Sequence, residues 1–279
     1  MGEFSYHNDE GSFAASYRMA LSHHMPDSHF HHTYEFYYLM SGEREFFIND
    51  RTLVIGEGDI VIIAPHVLHR TTNAVRPKHE RLIINMHEQR MRMADTDIPS
   101  VLQPLKDNEY LIMKTTPPLR ALVDPLALAM IHEFNEAGPG FELYAQALAV
   151  QLIVLCCRHL REHSPEPAVY PTPMHERVSE IVRYMNVHYM NPLSLQLLAD
   201  RFYISPYYLS RSFKQATGFT FVEYLNSLRV KEAMKLLVNS SMKVNDISRK
   251  VGFGSVTHFG RVFRIVTGHP PLFYRRGMK

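Results

Sequence analysis

Cysteine is nearly absent: the 279 residues contain two, at the adjacent positions Cys156 and Cys157. Neighbouring cysteines rarely bridge each other, so no disulfide scaffold is expected and a reducing compartment is implied. A secretion signal is also missing, since Met1 to Ala20 has no basic stretch followed by an apolar one. The longest apolar stretch, Ala145 to Cys157, is interrupted by Gln146 and Gln151 and falls short of the about 20 residues a bilayer needs. These absences exclude a secreted mini-protein, a membrane protein and a coiled-coil rod. What remains is a chain 46% apolar and 21% charged, long enough for two domains and too apolar for a disordered polymer.

Net charge is small, at +2, but charge is unevenly placed. From Glu176 to Lys279 there are 16 Lys+Arg against 6 Asp+Glu, a net +10, and the first 175 residues carry the balancing −8. A basic final third on an acidic remainder predicts one part that meets a polyanion and one that does not.

Ser164 to His175 (SPEPAVYPTPMH) has four prolines, which favour an extended linker over a helix. Before it, two helices are expected, from about Leu122 to Glu136 and from Glu142 to about Glu162, separated by Ala137-Gly138-Pro139-Gly140. Earlier still, Phe30 to Thr72 has strand character. Glu45 to Ile48, the turn dipeptide Asn49-Asp50 and Thr52 to Ile55 form a hairpin signal. Asp59 to Ile63 and Arg81 to Met86 add two short strands. Regularly spaced short strands predict a small barrel or sandwich.

The strongest signal is an internal repeat. Leu198-Ala199-Asp200-Arg201-Phe202 is echoed by Ile247-Ser248-Arg249-Lys250-Val251, and Ser205 to Phe213 by Ser255 to Phe263. Thr217-Gly218 is echoed by Thr267-Gly268, and Tyr224 by Tyr274. Each copy reads as a short helix, a tight turn and a second helix. In copy one Ser194 caps the first helix, Tyr203-Ile204 make the turn, and Ser205 with Pro206 opens the second helix. In copy two the expected caps are Asn245 and Ser255, around a Gly252-Phe253-Gly254 turn. The second helices bury Leu209 and Phe213, or Phe259, Val262 and Phe263. Arg211, Lys214, Arg261 and Arg264 are left outside. Between the copies, Phe221 to about Val238 is one amphipathic helix, about 27 Å long. That is commensurate with setting two helices in successive major grooves of a duplex.

Residues 178–276 resemble the double helix-turn-helix domain of the AraC/XylS family of bacterial transcription regulators. The stretches carrying the resemblance are LADRFYISPYYLSRSFKQATGFTFVEYLNSLRVKEAMKLL and VNDISRKVGFGSVTHFGRVFRIVTGHPPLFYRR. The resemblance implies double-stranded DNA as a partner, with contacts from Tyr207, Ser210, Arg211, Lys214, Ser255, Thr257, His258 and Arg261. It also implies a small-molecule effector, a homodimer, a bacterial cytoplasmic location, activation through RNA polymerase, and no enzymatic activity. Ser248 and Gly260 depart from the family pattern; Gly260 removes a side chain from a position that often faces DNA.

The N-terminal part carries His29, His31, Glu35 and Gly42 in the spacing H-x-H-x₃-E-x₆-G, followed by Gly58-Asp59, Pro65, His69 and Asn73. This resembles the two motifs of cupin barrels, the usual sensor of the same family. His29, His31, Glu35, Tyr37 and His69 are then the candidate effector contacts, for a small polar metabolite such as a sugar. Three imidazoles and one carboxylate (His29, His31, His69, Glu35) also suit a divalent metal. A metal-binding cupin, sensor or enzyme, fused to a DNA-binding domain is the alternative. Val67 stands where the second cupin motif has glycine. The expected architecture is α+β and multidomain: a cupin-like barrel over 1–92, a helical dimerisation or cover segment over 93–163, a linker over 164–175, and an all-α double helix-turn-helix domain over 176–279. The apolar stripe of Tyr144 to Leu160 is the candidate dimer surface, or else a cover for the barrel.

Overall fold

The structure, a computed structural model, describes residues 2–21, 31–73, 78–91, 102–163 and 171–277. The N-terminal domain contains strands β1 (Phe4–His7), β2 (Phe13–Ala20), β3 (Tyr34–Ile48), β4 (Arg51–Gly56), β5 (Ile60–Ile63), β6 (His69–Asn73), β7 (His79–Met86) and β8 (Tyr110–Met113), with short helices α1 (Glu88–Met91) and α2 (Gln103–Asp107) before β8. All pairings are antiparallel, in the order β1-β2-β7-β3-β5-β8, with β4 and β6 on the far half of β3. The 15-residue β3 therefore belongs to both walls of the barrel. The Asn49-Asp50 turn closes the β3–β4 hairpin as expected, with Asn49 at φ 55°, a conformation asparagine tolerates.

Alternation along β3 decides what faces the interior. Tyr37 pairs with Val61 on one side and Ile83 on the other, and all three join one buried cluster with Leu39, Phe46, Ile48, Leu53, Ile55 and Ile63. The register shifts between Leu39 and Ser41. One extra residue in a strand reverses the faces beyond it. Odd positions point inward before the bulge and even positions after it, so Gly42, Arg44, Phe46 and Ile48 follow Glu35, Tyr37 and Leu39 into the interior.

The outer face, including Phe13, Tyr17, Phe36, Tyr38 and Ile84, packs against α3 (Pro117–Glu136) and α4 (Phe141–Glu162). The α4 stripe is consumed here: Ala145, Leu148, Ala149, Leu152, Ile153, Cys156 and Cys157 all belong to this cluster. These residues cover the barrel, while Leu155 and Leu160 of the same helix are half-buried and Tyr144 is exposed. By length and composition α4 could cross a membrane, with a mean hydropathy of 1.5, contrary to the expectation of a run too short to do so. Segment 93–163 is also not purely helical, because β8 extends the sheet beside β5.

Among the described residues the C-terminal part has seven helices: α5 (Pro173–His188), α6 (Leu195–Arg201), α7 (Pro206–Thr217), α8 (Phe221–Asn239), α9 (Val244–Lys250), α10 (Val256–Thr267) and α11 (Pro271–Gly277). Residues 164–170 of the expected linker lie outside the described residues. Its end is helical instead, since Pro173 occupies the first turn of α5, where a missing N–H costs nothing, and Thr172 caps it. Ser194, Ser205 and Ser255 cap α6, α7 and α10 as expected, each accepting a backbone N–H three residues on. Copy two starts earlier than expected, with Lys243 and not Asn245 at the cap of α9. Thr220 and Glu223 form a reciprocal capping box on α8. Each module has its own core: Leu198, Leu209, Phe213 and Phe219 in the first, Ile247, Phe253, Phe259 and Phe263 in the second.

The barrel leans on the first module. Phe47 and Leu68 join that module's core, Phe47 meeting Phe219 and Tyr224 edge-on at ring centroids 5.8 and 5.9 Å apart. Thr52 donates to the Ala216 carbonyl at 2.7 Å, and the Tyr224 hydroxyl donates to the Asn49 carbonyl at 3.0 Å. Arg183 faces Asp50 at 3.3 Å, and Lys231 faces Glu109 at 3.4 Å. Arg70 donates to the Gly218 carbonyl at the C-terminus of α7.

Gly218 and Gly268 are equivalent helix ends with φ 76° and 79°. A Cβ at Gly218 would lie 2.4 Å from Arg70 Cδ, whereas one at Gly268 would meet nothing within 4 Å. Gly268→Ala should therefore cost only the left-handed strain, about 1 kcal/mol. Gly218→Ala should cost more and loosen the barrel from the first module, read as faster proteolysis between the two parts. Equal effects would show that the Arg70 contact holds nothing.

Candidate functional site

Two surfaces concentrate chemistry. The first is the outer side of the two second helices. Tyr207, Ser210, Arg211 and Lys214 are exposed along one side of α7 and line a shallow depression with Gln215. Leu209, Ser212, Phe213 and Ala216 are buried on the other side. On α10, Thr257, His258 and Arg261 are exposed, opposite buried Phe259, Val262 and Phe263. Arg261 Nη2 lies 3.3 Å from His258 Nδ1. Ser255 is exposed and its hydroxyl is engaged in capping. A Cβ at Gly260 would meet nothing within 4 Å, so packing does not require glycine there. Apart from Ser255, which caps α10, every residue expected to meet DNA lies on one of these two helices with its side chain exposed. Arg and hydroxyl groups at a helix N-terminal end are what base edges and phosphates require.

The second is the barrel interior. Of the expected set, His29 lies outside the described residues. His31, Glu35, Tyr37 and His69 are brought together. Glu35 is 2% exposed and His69 fully buried. His31 Nε2 lies 3.1 Å from one Glu35 oxygen and His69 Nε2 3.7 Å from the other. Asn85 donates to Glu35 at 3.2 Å. His31 Nδ1 sits 2.7 Å from the Thr33 carbonyl, and His69 Nδ1 2.9 Å from the Val67 carbonyl. A carbonyl only accepts, so both Nδ1 atoms carry the proton and both Nε2 atoms face the carboxylate. A neutral imidazole in that tautomer would oppose lone pair to lone pair. The arrangement therefore calls for positive charge between the rings and Glu35, either protons on Nε2 or a cation.

The titration of the pair follows the same logic. Burial alone would raise the Glu35 carboxyl, but His69 and His31 outweigh it and hold it well below the usual range. Burial would lower His69, and the Glu35 charge overcomes that and raises it. Nearby His66 is lowered to about 4, first by burial and then by His32. His31, Glu35 and His69 are also the cluster whose ligand atoms lie within 4.8 Å of one another. Two imidazoles and a carboxylate match the donor set of many first-row metals, with both rings oriented through Nδ1.

Farther along the interior are residues the sequence did not single out: Arg44, Thr71, His79 and Arg81, each 6% exposed or less. The Arg81 guanidinium lies 5.7 Å from the Tyr37 ring centroid. Cys156 and Cys157 take no part: both are buried, and burial pushes the Cys157 thiol up to about 11.

An AraC-like ligand-binding domain family matches residues 10–153, and a helix-turn-helix domain family matches residues 198–277. The regulatory protein PocR of Salmonella typhimurium is 34% identical over 106 residues, covering 38% of this chain and 35% of that protein. The arabinose operon regulatory protein of Escherichia coli is 30% identical over 142 residues, or 50% of this chain and 48% of that protein. An uncharacterized helix-turn-helix regulator of Bacillus subtilis, YfiF, is 24% identical over 95% of this chain and 83% of its own length. The matched stretches span about a third to a half of the first curated relatives. With the ligand-binding domain matching more than half of its residues and the helix-turn-helix domain most of the remainder, the chain belongs to the AraC family of DNA-binding transcription regulators.

Proposed function

We propose that this protein is a sequence-specific regulator of transcription in the bacterial cytoplasm, with two recognition helices that read neighbouring major grooves and a barrel that responds to a small polar metabolite. The observation that carries this reading is the doubled surface: Tyr207, Ser210, Arg211 and Lys214 on one exposed helix, Thr257, His258 and Arg261 on another, in a segment of net +10. The connecting α8 has 19 residues, about 28 Å, against a duplex repeat of about 34 Å. In the barrel, His31, Glu35, Tyr37 and His69 are the proposed effector contacts. A sugar or sugar derivative suits their mix of hydrogen-bonding groups and an aromatic ring, and one relative is named for an arabinose operon.

Strand β6 supports a route from effector to DNA. His69 and Thr71 face the interior, and Arg70 between them holds the Gly218 carbonyl that ends the first recognition helix. Phe46 and Phe47 are divided in the same way between the interior and the first module's core. An effector that shifts β6 or β3 would shift that helix. Activation through RNA polymerase and pairing of protomers belong to this reading.

The test is duplex binding by the full chain as salt is varied. About six phosphate contacts predict a log–log slope near −5. Binding indifferent to salt would contradict the proposal. A second reading, a metal-loaded barrel, is favoured by the two Nε2 atoms aimed at Glu35. It predicts stoichiometric metal in the purified chain and a higher Tm with added zinc or manganese. A metal-free chain indifferent to both ions would remove it.

A further inference from the structure

The two recognition helices share one plan, and at one corresponding position they differ in a way that packing does not explain. The repeat sets Tyr207, Ser210, Arg211 and Lys214 of α7 against Thr257, Gly260, Arg261 and Arg264 of α10, 50 residues on. Ser210 is exposed and lines the depression with Tyr207 and Arg211. Gly260 takes its place on α10, three residues after Thr257 and four before Arg264, both of them exposed. Residues at those spacings are neighbours on a helix surface. Gly260 therefore lies at the edge of the outer side, across from His258.

Glycine inside a helix is unfavourable, second only to proline, and it is kept where a backbone must bend or something must come close. Neither reason operates within this chain. Gly260 lies inside the regular α10 and outside the left-handed region. Among the described residues a Cβ there would meet nothing within 4 Å. Gly252, in the turn before α10, is the contrast: its φ is 92°, and a Cβ would lie 2.8 Å from the Met190 carbonyl oxygen. The chain itself requires glycine at 252 and does not at 260. What is left to require it is the partner. A recognition helix lies with its outer side against base edges, and a missing side chain there lets the backbone approach and leaves a notch. The apolar group that projects into the major groove is the thymine C5-methyl. A notch floored by the Gly260 Cα, with the Thr257 side chain beside it, suits that methyl. The polar edge of another base would meet no side-chain donor or acceptor at Gly260.

We propose that Gly260 is a specificity-determining position of the second module, and that the notch it leaves beside Thr257 receives the C5-methyl of a thymine. This rests on the reading of α10 as a recognition helix and adds the base it selects at one step. The two modules then read that step by different means. Ser210 offers a hydroxyl that donates or accepts, whereas Gly260 selects by shape. The two half-sites are accordingly unlike there, although the modules are repeats of one another.

The experiment is anisotropy of the full chain on a duplex selected by binding. Each thymine in the stretch that Arg261→Ala leaves unprotected is replaced singly by deoxyuridine, which keeps the base pair and removes the methyl. One replacement should weaken the parent about 3- to 10-fold. Gly260→Ala should raise the Tm by about 2–4 °C, since alanine is the better helix former, and yet bind the selected duplex about 10-fold more weakly. The loss on random DNA should be much smaller. The variant should also lose the preference for thymine at the sensitive step, or bind the deoxyuridine duplex better than the parent sequence. Gly260→Ser, which copies Ser210, should lose the preference too. The proposal is overturned if Gly260→Ala binds the selected duplex as tightly as the parent. It is equally overturned if no deoxyuridine weakens the parent, or if both variants keep the parent's preference for thymine. Failure of the underlying reading would look different: no protected stretch would depend on Arg261, and both readings would fall together.

Discussion

Replacing Arg211 and Arg261 together with alanine should weaken binding to a cognate duplex about a hundredfold or more, with a much smaller loss on random DNA. Both side chains are exposed on helices whose opposite sides are packed into separate cores. Neither truncation disturbs a buried contact, so stability should be unchanged. Each guanidinium that bonds a base edge is worth about 1–3 kcal/mol of discrimination, and distant, independent sites add. Fluorescence anisotropy on matched and scrambled duplexes measures this. Equal losses on both duplexes would make the two arginines phosphate contacts, with base readout elsewhere on the helices.

Glu35→Ala should be the most damaging single change in the barrel. It removes the carboxylate that faces His31 and His69 and that raises the fully buried His69. Breaking a buried pair from one side costs about 3–5 kcal/mol. Effector response should vanish while the DNA-binding module keeps its own fold. The pair also has a pH signature. Glu35 is held below its ordinary 4.5, so its contribution is present above that pH and lost as pH falls through the folded value. His69 is raised above 6.5, so its contribution is full below 6.5 and lost as pH rises through the folded value. Barrel stability should peak between about 4.5 and 6.5 in the parent, and Glu35→Ala should flatten that peak. A variant with the parent's Tm and pH profile would show that Glu35 is not paired.

The helix-turn-helix repeat was readable because its determinants are local. Serine caps, Pro206 in a first turn and i, i+4 apolar pairs act within one or two helical turns, and the structure places nearly all of them as the spacing predicts. The Asn49-Asp50 hairpin was readable for the same reason. What escaped was non-local. Strand β8 owes its existence to β5, about 50 residues away, and nothing in Tyr110 to Met113 announces a partner. The α4 stripe was consistent with either a dimer or a cover, and its packing on the outer sheet face shows that most of it covers the barrel. Arg44 was hidden by the bulge: counted from Glu35 and Tyr37 it falls on the outer face, and the register shift puts it inside. Arg81 would have been found by period-two counting along Arg81, Ile83 and Asn85, a face recognisable only once Ile83 is known to pair with Tyr37. The histidine and glutamate motif did locate the other end of the interior, though His29 is not among the residues the structure describes.

Interior and DNA surface are joined by residues one position apart. The same strands hold His69 and Arg70, Phe46 and Phe47, on opposite faces, so a ligand on one face and a recognition helix on the other share a backbone. The second module meets the barrel through Tyr274, whose hydroxyl lies 3.1 Å from His32 Nδ1. Effector control is therefore expected to act first on the helix that carries Arg211.

The measurement closest to the centre of this account is a hydroxyl-radical footprint of the intact protein on a duplex selected by binding. Two protected patches per chain, about one helical turn apart on the same face of the DNA, should appear, and Arg261→Ala should erase one while leaving the other. A single patch, or two that both survive the loss of Arg211 and Arg261, would contradict it.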